Sequence, residues 1–377
     1  MNLYRSISNR IDRIYGLHGS ARFASIEGLR AWAIIMVFNV HFFARYYDKS
    51  YFFSPGGIGE GITKVFHAGH IGVDLFFVIS GFLIFRSLRK NSPSSPTYFN
   101  NRFRRLMPAH FFILILASYS MFNISDFLLN LFFLPKFIEG SRNYNNVTWS
   151  LGWEWMFYIL IFFIYHLSNR GDFNLALRNS IVFAAFLLTL QWLFYSNIKE
   201  EFRIVLPDAG RFLGFFIGVF ISQIELDKKS FIVNYESTIK VAAIFSLFGI
   251  LLMQILWSHQ ATEIQKYTIT RNLYYLTVSI LFAIILLRLI NYKGTLNRIF
   301  EWRPLRIIGQ VSYSFYLLHV IIGIPIALKL VPEVVTVPKM ALHYAISFIA
   351  TFLLATLVYF FLEKPYFRKK GSSKSAK

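Results

Sequence analysis

The chain has 377 residues, of which 55% are hydrophobic, 19% aromatic and only 15% charged. Soluble domains carry about 25% charged residues, and a chain this apolar has too little polar surface to cover two or three of them; its mean hydropathy is +0.49. The formal net charge of +20 would suggest nucleic acid in a soluble protein. Here Lys and Arg gather in the gaps between apolar runs, as in loops that face anionic lipid, so no nucleic-acid partner is expected. Cysteine is absent, which excludes disulfides, thiolate metal ligands and a cysteine nucleophile.

Taken in order, residues 1–28 are polar and basic, without the apolar core of a cleavable signal peptide. The run from Leu29 is therefore expected to be an uncleaved signal anchor. Ten apolar runs near the length of a membrane span follow, at 29–47, 69–87, 107–122, 150–167, 179–197, 208–224, 239–257, 272–290, 309–328 and 341–362. The third is short. Phe127–Phe137 is apolar but too short to cross, and is expected to be interfacial or re-entrant. With the N-terminus inside, Lys and Arg favour the inner segments by roughly two to one, which predicts N-in, C-in and an even number of spans. The expected fold class is all-α, a polytopic membrane helix bundle of about ten transmembrane helices. It is flanked by a basic cytoplasmic segment at 1–28 and a basic tail at 366–377, with the transmembrane domain at 29–365. No internal repeat is visible, which weakens a secondary-transporter reading.

Ionisable groups inside a span are costly, so each is a functional candidate. Arg30 and His41 lie eleven residues apart, three helical turns with roughly 20° left over, so both face one way about 16 Å apart along the axis. A cation at the mouth and a titratable imidazole deeper in could line one tunnel; a snorkelling Arg and a His bonded to a neighbouring helix fit the same spacing. Asp74, Glu154 and His319 lie in the second, fourth and ninth runs. The predicted directions put all three, with His41, in the central-to-outer half. A histidine near carboxylates suits general acid/base work on a hydroxyl, and interhelical hydrogen bonding is the structural alternative. The inner loop before the third run reads YFNNRFRRLMP (98–108), with three arginines in four residues. That is either an anion site, since guanidinium forks onto phosphate, or plain positive-inside topology. His67 and His70 have no third ligand nearby, so no metal is expected. There is no Gly-x-Ser-x-Gly elbow, P-loop or dinucleotide fingerprint.

Six segments together resemble the acyltransferase family 3 membrane proteins, from about Ile26 to Pro365. They are IEGLRAWAIIMVFNVHFF with Arg30 and His41, GVDLFFVISGFLI (72–84), YFNNRFRRLMP with Arg102 and Arg105, TWSLGWEWMFY (148–158), GQVSYSFYLLH (309–319) and LEKP (362–365). The resemblance implies transfer of an acyl group, most often acetyl, from cytoplasmic acyl-CoA to a hydroxyl of an envelope glycan. Lipopolysaccharide O-antigen, capsule, exopolysaccharide or a lipid-linked glycan would be the acceptor, in a bacterial inner membrane and among its lipids. It implies that His41 and Arg30 are essential, and that Arg102 and Arg105 lie near the CoA phosphates with Arg30 beside them. His41 would act as general base or as an acyl-imidazole nucleophile, Glu154 or Asp74 would orient it, and Trp149, Ser150, Tyr158 and His319 would line the acceptor path. Some relatives carry an added SGNH esterase-like domain; this chain is expected to act alone or to hand the group to a separate acyl-accepting protein. A lipid, small-metabolite or peptidoglycan acceptor, and a glycan flippase without acyl transfer, are the competing readings.

Overall fold

The computed structural model describes residues 12, 14–17, 23–44, 58–135, 138, 140–197, 209–331 and 336–367. The basic residues expected at the two ends lie outside them, apart from Lys364, as do Arg45, Lys49, Lys136, Lys199 and Arg203; the charge balance therefore rests partly on positions not described. All regular structure among the described residues is helical. The chain divides into two compact units, 1–91 with 153–312 and 92–152 with 313–377.

The first unit opens with α1 (Ala24–Phe43) and α2 (Ile58–His67), which leads through a 3-10 turn into α3 (Gly72–Asn91). The second unit begins with α4 (Ser95–Ser118) and α5 (Ile124–Leu131). The chain re-enters the first unit along α6 (Trp149–Leu167) and continues through α7 (Phe173–Asn197), α8 (Ala209–Asp227), α9 (Lys229–Asn234), α10 (Glu236–Lys266), α11 (Thr268–Asn291), α12 (Thr295–Phe300) and α13 (Arg303–Gln310). It closes in the second unit with α14 (Ser312–Leu318), α15 (Ile324–Leu330), α16 (Val337–Val358) and α17 (Lys364–Phe367). Single π-helical turns join α14 to α15 (His319–Gly323) and α16 to α17 (Tyr359–Glu363).

Each of the ten apolar runs is mostly helical where described, although the third leaves the helix after Ser118. Among the described residues, eight helices are long and apolar enough to cross a membrane. The two long helices outside that set carry charge: Arg102, Arg104 and Arg105 in α4, and Arg211, Glu225 and Asp227 in α8. Phe245, Phe248 and Leu252 on α10, and Leu353 and Leu357 on α16, turn large apolar side chains outward. A bilayer accepts such surfaces and water does not; the chain is a polytopic all-α membrane protein.

The YFNNRFRRLMP segment is a correction to the sequence reading. It is not a loop but the first turns of α4, which starts with Ser95 and with Pro96 in its first turn. Proline is tolerated there because that N–H has no intrahelical partner. Hydropathy started the run at 107 because the arginines end the apolar stretch, and charge is no barrier to helix. Phe127–Phe137 contributes to the eight-residue α5, capped by the Asn123 side chain on Asp126 N; its Lys136 and Phe137 lie outside the described residues.

Glycine lets helices in the first unit touch backbone to backbone. A Cβ on Gly81 would lie 2.0 Å from Phe215 O, and one on Gly218 would lie 2.1 Å from Val78 O. Contacts of this kind pack helices where burial from water supplies no force. Phe77 and Phe157 then stack on Phe215, each with ring centroids 4.2 Å apart. At the start of α1, Glu27 accepts hydrogen bonds from Arg306 (2.7 Å) and Gln310 (2.6 Å) of α13. Ser25 and Lys293 both donate to Glu301, beyond the spans. Burial raises the Glu301 pKa, but those bonds outweigh it and hold the carboxyl below its usual value.

Candidate active site

In the first unit, α1 carries Arg30 and His41 at partly exposed positions of a helix that is otherwise mostly buried. His41 Nδ1 lies 2.8 Å from Val37 O, one turn back. A carbonyl can only accept, so Nδ1 holds a proton, and in the neutral ring Nε2 holds the lone pair. The imidazole is thereby set as a base at Nε2.

Glu154 lies one turn into α6, where Oε1 accepts from Tyr158 OH and from Ser80 Oγ (3.1 Å). The spacing Glu154–Tyr158 is i,i+4 on one helix face, and Ser80 comes from α3. The structure thus joins two of the expected residues, Glu154 and Tyr158, and adds Ser80.

Asp74 is fully buried in α3, and its partner is Arg211 of α8, with Nη1 3.2 Å from Oδ2. Arg211 also donates to His70 O at 3.2 Å and lies 4.1 Å over the Tyr275 ring. Arg211 is itself buried, in the first turn of α8. A buried ion pair set in aromatic rings holds two helices in register, and that is the role its surroundings give Asp74. His70 packs on Trp257, with centroids 4.1 Å apart.

The second unit holds the rest. Arg102 and Arg105 are i,i+3 on α4, both half-buried, whereas Arg104 is exposed; Arg102 lies 5.7 Å over the Tyr98 ring. They present one guanidinium face at the start of the helix. Trp149 is half-buried in the first turn of α6 and Ser150 is buried beside it. Tyr316 OH donates to Val147 O, so the 2.8 Å contact with Ser150 is a bond donated by Ser150 Oγ. Asn145 Nδ2 donates to Leu317 O at 2.9 Å. His319 is fully buried at the first π-turn, with Nδ1 2.7 Å from Tyr316 O. Ser150 and His319 are therefore both tied to Tyr316, through its hydroxyl and its carbonyl.

Arg211, Ser80, Asn145 and Tyr316 were not singled out in the sequence. Tyr316 and Asn145 lie in or beside the quoted motifs, yet a hydroxyl or amide in an apolar run carries no periodic signal. Replacing Tyr316 by Phe strands the Val147 carbonyl and removes the acceptor for Ser150. The loss is expected to be about 1–3 kcal/mol, read as a lowered unfolding midpoint of the purified protein in detergent.

A family model described as an acyltransferase domain matches residues 23–360, nearly the whole chain. The chain belongs to acyltransferase family 3. Among curated relatives of this family member, the peptidoglycan O-acetyltransferase OatA of Listeria monocytogenes is 27% identical over 387 residues, covering 92% of this chain and 56% of the relative. The putative peptidoglycan O-acetyltransferase YrhL of Bacillus subtilis is 23% identical, with coverages of 90% and 54%. The acyltransferase MdmB of Streptomyces mycarofaciens is 28% identical over 166 residues, covering 40% of this chain and 41% of that one. The chain thus spans little more than half the length of the two peptidoglycan relatives. No solved structure matches it.

Proposed function

We propose that this family member is a membrane O-acyltransferase that moves an acetyl group from cytoplasmic acetyl-CoA to a hydroxyl of a cell-envelope glycan. The observation that supports the chemistry best is the His41 tautomer: Nδ1–H is engaged by Val37 O, so the lone pair of the neutral ring is at Nε2. Nε2 takes the proton of the acceptor hydroxyl, the oxygen attacks the thioester carbonyl, and the C–S bond breaks. The CoA thiolate then recovers that proton from His41, so the products are an acetyl ester and CoA. Arg102 and Arg105 supply paired guanidinium groups for the CoA phosphates, with Arg30 adding charge. Glu154, with Tyr158 and Ser80, orients the reacting groups; Trp149, Ser150 and His319 shape the acceptor path. Asp74 acts indirectly, through Arg211. The names of the two long relatives favour peptidoglycan over O-antigen, capsule or exopolysaccharide as the acceptor, and the inner membrane is where both substrates are reachable.

The test compares envelope fractions from cells with and without the gene. Alkali-released acetate from purified peptidoglycan is expected to fall in the deletion strain and to return with the plasmid-borne gene. Unchanged acetate in peptidoglycan and in every other envelope glycan would overturn the reading.

A further inference from the structure

The second unit contains an apolar groove of about 310 Å³ that none of this chemistry uses. Its floor is Leu318 and Val358, 2% and 8% exposed; its rim includes Phe112, Leu357 and Phe361, at 43%, 53% and 72%. Each floor residue immediately precedes one of the two π-turns. A π-turn inserts one extra residue and shifts the side-chain register beyond it. The two helical segments touch at Gly323, where a Cβ would lie 1.8 Å from Thr351 Oγ1. They leave the groove between Leu318 and Val358, and α4 forms its other wall.

All the lining side chains are apolar, and Ser312–Leu330 and Val337–Glu363 are both candidate spans, which sets the groove at the depth of the hydrocarbon. It has room for roughly ten water-sized groups at about 30 Å³ each. That is too little for a partner helix of 10–12 Å diameter. Basic residues continue two of the lining helical segments beyond the groove. Lys364 follows the second π-turn, with its ammonium 5.2 Å from the Phe360 ring centroid. The last turn, α17, packs on α4, the helix that opens with Arg102, Arg104 and Arg105. Basic side chains beside an apolar intramembrane groove suit an anionic lipid headgroup and its chain.

We propose that this groove binds one acyl chain of an anionic phospholipid, with the headgroup phosphate at Lys364. The full-length protein, purified in detergent, is tested by native mass spectrometry after addition of phosphatidylglycerol or phosphatidylcholine of identical chains. One phosphatidylglycerol adduct is expected to survive activation where phosphatidylcholine is lost. Leu318→Trp fills the floor and is expected to abolish that adduct. Leu354→Trp, nearer the rim, serves where the first variant does not fold, as judged by size-exclusion chromatography. Lys364→Gln is expected to lower phosphatidylglycerol retention about fivefold, the factor for about 1 kcal/mol per cation. The proposal is overturned if a folded tryptophan variant keeps the adduct, or if the two lipids are retained alike. None of these readings depends on acyl transfer, so the outcome stands apart from that of the proposed reaction.

Discussion

His41→Ala is expected to lower O-acetylation by about 10²–10⁴-fold at matched membrane levels, the usual contribution of a positioned general base. The bond it removes from Nδ1 to Val37 O lies within one turn of the same helix. The same loss is expected whether Nε2 removes a proton or carries the acyl group, since both routes use that lone pair. His41→Gln separates charge and shape from basicity: it can still donate a hydrogen bond but cannot take up a proton at neutral pH. Both variants should remain monodisperse in detergent and lose acetate release together. Acetate release at the wild-type rate from either one, at equal protein, would remove His41 from the chemistry.

The second large effect is structural. Asp74→Asn leaves the Arg211 guanidinium, 4% exposed, without its counter-charge. Removing one partner of a buried pair typically costs about 3–5 kcal/mol. The variant is therefore expected to unfold at a much lower temperature in detergent, or to be lost from the membrane fraction. Replacing both partners by apolar residues, Asp74→Leu with Arg211→Met, is expected to recover most of that loss, because no uncompensated charge remains. If Asp74 were instead a proton-transfer group, Asp74→Asn would fold normally and lose activity alone, and the double variant would be no more stable than the single one. Thermal unfolding of the three proteins decides between the two roles.

The long helices were legible in the sequence because runs of Phe, Leu, Ile and Val of bilayer length have few soluble alternatives. The motif residues were legible one by one, as charges where charge is costly. Arg102 and Arg105 were found but given the wrong local structure: hydropathy marks where a helix leaves hydrocarbon, not where its hydrogen bonding ends, and α4 runs on for three further turns. Arg211 gave no such signal: it lies near the end of an apolar run, and its ion pair with Asp74 is a contact that only the fold shows.

Composition and pattern by themselves determined a multi-pass all-α membrane protein and marked the ionisable residues inside its apolar runs. The tertiary structure alone decided which of those residues meet. Arg211 and Asp74 are 137 positions apart, Ser80 and Glu154 are 74, and Ser150 and Tyr316 are 166. The physical reason is that the apolar patterning of a span records its surroundings, which are much the same for every helix, whereas a partner is selected by close packing at glycines and by single polar groups that leave no periodic trace. His41 is the exception. Its Nδ1 partner lies one turn away on its own helix, so the tautomer that makes Nε2 a base is set by local geometry.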